Sequence, residues 1–244
     1  MVLSTGLGTL VGALLILLPT TIGQNWPPQP TGPMPNYFDW ANGPDVPPNN
    51  PSPLNDEFNG TSLSGQWTVI NGGTQTVANG YLDFNAPVNS PNDNIMSIVQ
   101  TLPTAPWKFT SKLSINFVSV SGTGHIAGMV LRESATSKMI IMAVALQSGV
   151  CQVFVFSFTN NTTFNATIYT GPASLRNAYY FRIGQMGTTL TFEVSSDGVG
   201  FMQVYSESVT SHFTTAPNQV GLALDNVDAN NPTDGIFWWF RRTT

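Results

Sequence analysis

Charge is scarce in this 244-residue chain: Asp, Glu, Lys and Arg together make up 9% of it, against ~25% in an ordinary soluble domain. Only eight residues are Lys or Arg, the first of them Lys108, and the net charge is −5. There is no basic run, and Arg241-Arg242 is the one adjacent basic pair. Such a chain has no electrostatic reason to bind nucleic acid, which requires a patch of cations set against phosphates. Cysteine is nearly absent too. Cys151, in GVCQVFVF, has no second thiol to pair with, and its apolar neighbours point to a buried thiol rather than a nucleophile. Two histidines, His125 and His212, are too few for a zinc site at the usual ligand spacing; His125 lies in an alternating strand and reads as structural. No G-x-S-x-G elbow occurs, and GTGHIAG lacks the lysine and following helix of a phosphate loop.

In place of charge the chain has Gly, Thr, Ser, Asn and Pro around a hydrophobic fraction of 41%. This is the composition of turn-rich extracellular or particle-bound β proteins, and the length suits one large β domain.

The opening MVLSTGLGTLVGALLILLP carries no charge. A secretory signal normally has Lys or Arg before its apolar core. Seventeen helical residues reach ~25 Å, short of the ~30 Å of bilayer hydrocarbon. Leu3, Leu7, Leu10, Leu14 and Leu17 recur at intervals of 4, 3, 4 and 3, the spacing of a helix seam. Gly8 and Gly12 form a small-xxx-small pair that admits a second backbone. Residues 1–18 therefore read as a short apolar helix ended by Pro19, an anchoring arm buried in other subunits; docking on its own domain is the bland alternative. LLPTTIG loosely resembles anchor segments that begin some phage head and tail proteins.

Residues 19–53 hold eleven prolines together with Trp26, Tyr37, Phe38 and Trp40. Proline at this density favours extended polyproline II structure, and four aromatics are more than a solvated linker carries. The expectation is a semi-rigid strap along a protein surface.

From residue 54 the pattern changes to short alternating segments punctuated by Gly, Asn, Asp and Ser. Thirteen strand candidates can be read, among them KFTSKLSINFVSV, HIAGMVLRE, KMIIMAVAL, QVFVFSF, YYFRIGQM, TLTFEVSSDG and IFWWFRR. In QVFVFSF, Val153, Val155 and Ser157 fall on one side and Phe154, Phe156 and Phe158 on the other. No helix-period stretch of useful length follows residue 56, so the domain of residues 54–244 is expected to be all-β, an antiparallel jelly-roll β-sandwich of two packed sheets.

DEFNGTSLSGQWTV, HIAGMVLRE, YYFRIGQMGTTLTFEVSSDGVGFMQV and VGLALDN…GIFWWFRR, in this order, resemble the entry strand, central strand, paired hairpin and closing strands of concanavalin A-like lectin/glucanase sandwiches, including laminin-G-like members, over about residues 54–242. The resemblance implies a curved sandwich whose concave face often binds glycans. Laminarinase-type members cleave glucans with acids in an E-x-D-x-x-E strand. The glutamates here are Glu57, Glu133, Glu193 and Glu207, and none begins that pattern. The expectation is accordingly not an enzyme, with no catalytic residues. Many relatives hold calcium between the entry strand and the chain's end, which makes Asp56, Glu57 and Asp234 candidate Ca2+ ligands, with turn capping as the bland reading. Trp107, Tyr180, Tyr205 and Trp239 are candidate glycan platforms, and alternation sends adjacent Trp238 and Trp239 to opposite faces.

Two functions follow as expectations. One is a non-enzymatic structural or decoration protein of a virus particle, most simply a phage. It would join other virion proteins or copies of itself through the N-terminal arm and display a lectin-like sandwich to host-surface glycans. The other is a secreted or surface-anchored cellular carbohydrate-binding or glucanase-related protein.

Overall fold

The computed structural model describes residues 45–49, 51–88, 92–117, 124–147, 150–172, 179–228 and 230–243. The arm residues Leu3, Leu7, Gly8, Leu10, Gly12, Leu14 and Leu17, and the strap before Asp45, lie outside the described residues.

Among the described residues the chain forms strands and no helix. In chain order these are β1 (Thr68–Ile70), β2 (Thr74–Ala78), β3 (Tyr81–Ala86), β4 (Met96–Thr101), β5 (Trp107–Phe117), β6 (His125–Arg132) and β7 (Met139–Gln147). There follow β8 (Val150–Asn160), β9 (Thr163–Pro172), β10 (Tyr179–Met186), β11 (Thr189–Ser195), β12 (Met202–Ser208), β13 (Gln219–Asn226) and β14 (Thr233–Arg242). Every pairing is antiparallel, and the strands make two seven-stranded sheets. The back sheet runs β1-β4-β13-β6-β7-β8-β9 and the front sheet β12-β11-β10-β5-β14-β3-β2. The expected all-β sandwich is the observed fold. TQTVA, which became β2, escapes sequence reading because it is short and mostly polar; it is held by pairing with β3.

The core lies between the sheets. Phe84, Phe109, Phe181, Phe192, Phe237 and Phe240 from the front meet Met129, Leu131, Ile140, Met142, Leu222 and Leu224 from the back, each fully buried. Burying such side chains stabilises by roughly 1.5–3 kcal/mol apiece. Trp67 stands edge-on to Phe240, ring centroids 5.2 Å apart, and so locks the entry segment onto the last strand.

The two outer faces differ. On the back sheet, Ile95, Val99, Ile126, Val130, Ile141 and Phe156 form a second buried apolar cluster. This matches the sequence of β6 to β8, which is apolar at both parities instead of alternating with polar residues. Gly128 and Gly221 belong to that face. A Cβ on Gly128 would stand 2.1 Å from the Met142 carbonyl oxygen, and one on Gly221 would stand 1.9 Å from that of Ile98. The neighbouring backbones approach too closely for any side chain. The outer face of the front sheet is polar, charged and aromatic.

Candidate functional site

Alternation along β5 sends Trp107, Phe109, Ser111 and Leu113 inward and leaves Lys108, Thr110 and Lys112 on the outer face. β10 contributes Tyr180 and Arg182 beside them, since Tyr180 pairs with Lys112 and Arg182 with Thr110. β11 places Glu193 opposite Arg182. On β14 the register shifts between Phe237 and Trp239, so that Phe237 pairs with Leu113 and Trp239 with Lys112. A bulge adds a residue on one strand without one on the other and re-aims side chains. Both tryptophans consequently reach Lys112: Trp239 is its register partner, and the Trp238 ring centroid lies 5.2 Å from the Lys112 ammonium. The expectation that they point to opposite faces fails because alternation assumes an unbroken ladder.

The result is an aromatic cluster with fixed polar groups. Tyr180 and Trp239 have ring centroids 6.0 Å apart, and the Lys112 ammonium lies 5.5 Å from the Tyr180 centroid. The Arg241 guanidinium rests on Trp239 at 4.3 Å, a cation–π stack. It donates to Glu57 through Nε at 2.8 Å and Nη2 at 2.7 Å. Further along, Arg182 donates to Thr110 Oγ1 at 3.1 Å and Glu193 Oε2 at 3.3 Å, while its guanidinium covers the Phe201 ring at 3.4 Å. Lys108 approaches Glu193 at 3.5 Å.

Asp45 sits in the middle of the cluster. Its Oδ1 accepts from Trp239 Nε1 at 3.2 Å, and its Oδ2 accepts from Lys112 Nζ at 2.9 Å and Tyr180 OH at 3.3 Å. Its backbone carbonyl accepts from Arg241 Nη2 at 3.4 Å. Partial burial alone would raise the Asp45 pKa, yet the hydrogen bonds from Lys112, Trp239 and Tyr180 outweigh it and hold the carboxylate below its ordinary range. Burial and the Asp45 charge push the Tyr180 phenol up. Lys112 is raised as well, burial being outweighed by Asp45.

Among the sequence candidates, Tyr180 and Trp239 are brought together, 7% and 5% exposed beneath Asp45. Two other candidates lie apart from this cluster. Trp107 is buried in the core beside Phe109, because it has inward parity on β5. Tyr205 packs against Phe192 at the core's margin and spends its hydroxyl on Glu207 at 2.9 Å. The calcium candidates are placed as follows. Asp56 accepts from Trp67 Nε1, Ser64 Oγ and the Phe58 amide, and it bridges to Phe240. Glu57 is committed to Arg241. Asp234 lies at the other end of β14, bonded by Asn85, and six strand residues span ~20 Å. Asp56, Glu57 and Asp234 therefore do not converge, and no group of three or more metal-capable His, Cys, Asp or Glu occurs among the described residues.

Sequence reading missed Asp45, Lys112 and Arg241. The outward parity of Lys112 was available from KFTSKLSINF; the partners of Asp45, 67 to 194 positions away, and the Glu57 partner of Arg241, 184 positions away, were not.

No protein-family model matches the sequence, and no curated protein matches it significantly. Solved structures do resemble the fold. The GH43 BlXynB protein of Bacillus licheniformis is 17% identical with a TM-score of 0.61, over 77% of this chain and 38% of that one. A xylan beta-1,4-xylosidase from Bacillus halodurans C-125 is 16% identical with a TM-score of 0.59, over 81% and 40%. The CBM2 module of Lactobacillus casei BL23 phage J-1 evolved Dit is 11% identical with a TM-score of 0.52, over 78% of this chain and 95% of that module. The chain thus spans about two-fifths of the length of the glycoside hydrolases it matches. Its class is a two-sheet antiparallel β-sandwich, the fold it shares with these structures.

These likenesses correct one expectation. Glycoside hydrolases stand among the similar structures, which overturns the reading of the chain as not an enzyme. That reading searched for acids spaced along one strand, whereas folding can pair acids from separate segments. Here Asp93, of the segment before β4, acts electrostatically on Asp225 of β13.

Proposed function

We propose that the sandwich engages polysaccharide through the outer face of its front sheet and belongs to a phage particle. The observation that carries the first part is the grouping of Tyr180, Trp238 and Trp239 around Lys112 and Arg241. Sugar recognition needs flat aromatic surface for C–H faces and preset hydrogen-bonding groups for hydroxyls; this face offers the partly exposed Trp238 for the first and Lys112 and Tyr180 for the second. The resemblance of residues 54–242 to concanavalin A-like sandwiches supports the same reading.

The particle setting is supported by the phage Dit module among the similar folds and by the heptad-like leucines of residues 1–18, which suit an arm buried among other virion proteins or copies of this chain. The bacterial glycosidases among the similar folds favour a second setting, an extracellular or cell-surface carbohydrate-active protein.

The test is retention of the full chain on a panel of polysaccharides, including xylan and bacterial cell-wall glycans, with new reducing ends measured alongside. The proposal expects retention on at least one polysaccharide and a loss of tenfold or more in Trp238→Ala. Retention that is absent throughout, or indifferent to Trp238→Ala, overturns it.

A further inference from the structure

Asp45 is bound as a ligand is bound. Its carboxylate receives an ammonium, a phenol and an indole N–H from three side chains on three different strands: Lys112 of β5, Tyr180 of β10 and Trp239 of β14. None of the three is a sequence neighbour of Asp45, and all are oriented by the sheet. Lys112 lies between two aromatic rings, Tyr180 and Trp238, and Trp239 is braced by Arg241, which Glu57 holds. The receptor is therefore rigid, whereas its occupant comes from a proline-rich surface segment and keeps 54% of its side chain exposed.

Charge agrees. The chain is acidic overall, at −5, with eight basic residues, yet four of those eight, Lys108, Lys112, Arg182 and Arg241, gather on this face. The carboxylates that meet them are Glu57, Glu193 and Asp45. With Asp45 withdrawn, Lys112 keeps no ion-pair partner among the described residues, beside two tryptophans and a tyrosine; the other acids of this face, Asp83 and Asp234, lie on β3 and the far end of β14. A neutral sugar would not use that ammonium; a sugar bearing a carboxylate would.

We infer that the pocket of Lys112, Tyr180 and Trp239 is a receptor for the carboxylate of an acidic sugar, a uronic acid unit, and that Asp45 is its built-in occupant, displaced when glycan binds. The inference rests on the glycan reading above and names the sugar class for the same face. The carboxylate would take the donors that Asp45 now occupies, while the pyranose ring lies against Trp238. Charge-assisted hydrogen bonds of this kind are roughly twice as strong as neutral ones, so an acidic unit gains at this point what a neutral one cannot.

The experiment compares D-glucuronate with D-glucose, which differ at C6 in carboxylate against hydroxymethyl. Both are titrated against the full chain, with tryptophan fluorescence and ligand-observed NMR as readouts. Asp45→Ala is expected to bind glucuronate about tenfold or more tightly than wild type, with little change for glucose, and rising salt should weaken the gain. Lys112→Ala placed on Asp45→Ala should abolish it. Asp45→Asn retains an acceptor but not the charge, should show a smaller gain, and serves the same comparison if Asp45→Ala does not fold. Equal binding of glucuronate and glucose by the Asp45 variants, or no gain over wild type, overturns the inference. If polysaccharide retention remains sensitive to Trp238→Ala in that case, the glycan reading stands and only the acidic-sugar assignment falls; if that retention is also lacking, both fall.

Discussion

Glu57 grips Arg241 at two points, Oε1 receiving Nε at 2.8 Å and Oε2 receiving Nη2 at 2.7 Å, and so joins the segment that enters the sandwich to the strand that closes it. Arg241 is 6% exposed. Removing the carboxylate leaves a nearly buried cation without its principal partner, which costs more than the pair itself contributes. Glu57→Gln is expected to lower the unfolding free energy by about 2–3 kcal/mol. Urea denaturation checks this, as a fall in midpoint with the slope unchanged. The same variant loosens the brace under Trp239 and should weaken any glycan retention in parallel.

Glu133 holds the turn after β6 to the loop before β13. Its carboxylate accepts from Thr136 Oγ1 at 2.6 Å, Thr215 Oγ1 at 2.7 Å, the Thr215 amide at 2.9 Å and the Thr214 amide at 3.0 Å. Burial would raise its pKa, but these four donors outweigh burial and bring it from 4.5 down to about 2. A depressed carboxylate stabilises the fold fully above its unfolded value, and the contribution is lost as pH falls through the folded one. Glu133→Gln should therefore destabilise by about 1–3 kcal/mol at neutral pH, with the difference from wild type shrinking between pH 4.5 and about 2. Thermal melts across that range test it.

Asp225 has the opposite sign. It is fully buried, its Oδ1 accepts the amides of Asn94 at 2.9 Å and Asn226 at 2.8 Å, and Asp93 lies against it. Burial first, then the Asp93 charge, raises its pKa from 3.8 to about 8. The folded state thus retains a proton that the unfolded chain releases, so stability from this group is greatest below pH 3.8 and declines as pH rises to about 8. Asp225→Asn imitates the protonated acid: it is uncharged, and its carbonyl still accepts both amides. It should flatten the pH dependence over that interval and make the variant more stable than wild type at pH 9. A steeper dependence in the variant would contradict this assignment.

Gly128→Ala should be among the most damaging small substitutions, because the new methyl would meet the Met142 carbonyl oxygen at 2.1 Å and the Ala143 Cα at 2.7 Å. Backbone of a neighbouring strand cannot swing aside as a side chain does. A loss of about 3 kcal/mol or more, or failure to fold, is expected. Gly65→Ala, with open space around its Cβ, is the control and should stay within about 0.5 kcal/mol of wild type.

How far the sequence could be read depends on the range of the interactions. The strand pattern was legible because a side chain's face follows from parity along its own strand. QVFVFSF divided as expected, with Val153 and Val155 in the central core and Phe154, Phe156 and Phe158 in the outer cluster. Parity failed at IFWWFRR, where the bulge inserts one residue and brings Trp238 round to Lys112. A bulge depends on the partner strand, and no single segment encodes it. Trp107, an aromatic taken for a platform, proved to be core, since composition supplies aromatics to both roles and only the count of residues along β5 separates them.

The sequence by itself determined the all-β character, the turn-rich uncharged surface, the doubly apolar strands β6 to β8 and the outward parity of Lys112, since each is written in neighbours a few positions apart. The tertiary structure alone decided that Asp45 reaches Trp239 across 194 positions and that Glu57 reaches Arg241 across 184. It also decided that Asp234 stays apart from Asp56 and Glu57. Closing such contacts depends on which strands lie side by side, and that order is set by the packing of two whole sheets rather than by any local stretch of chain.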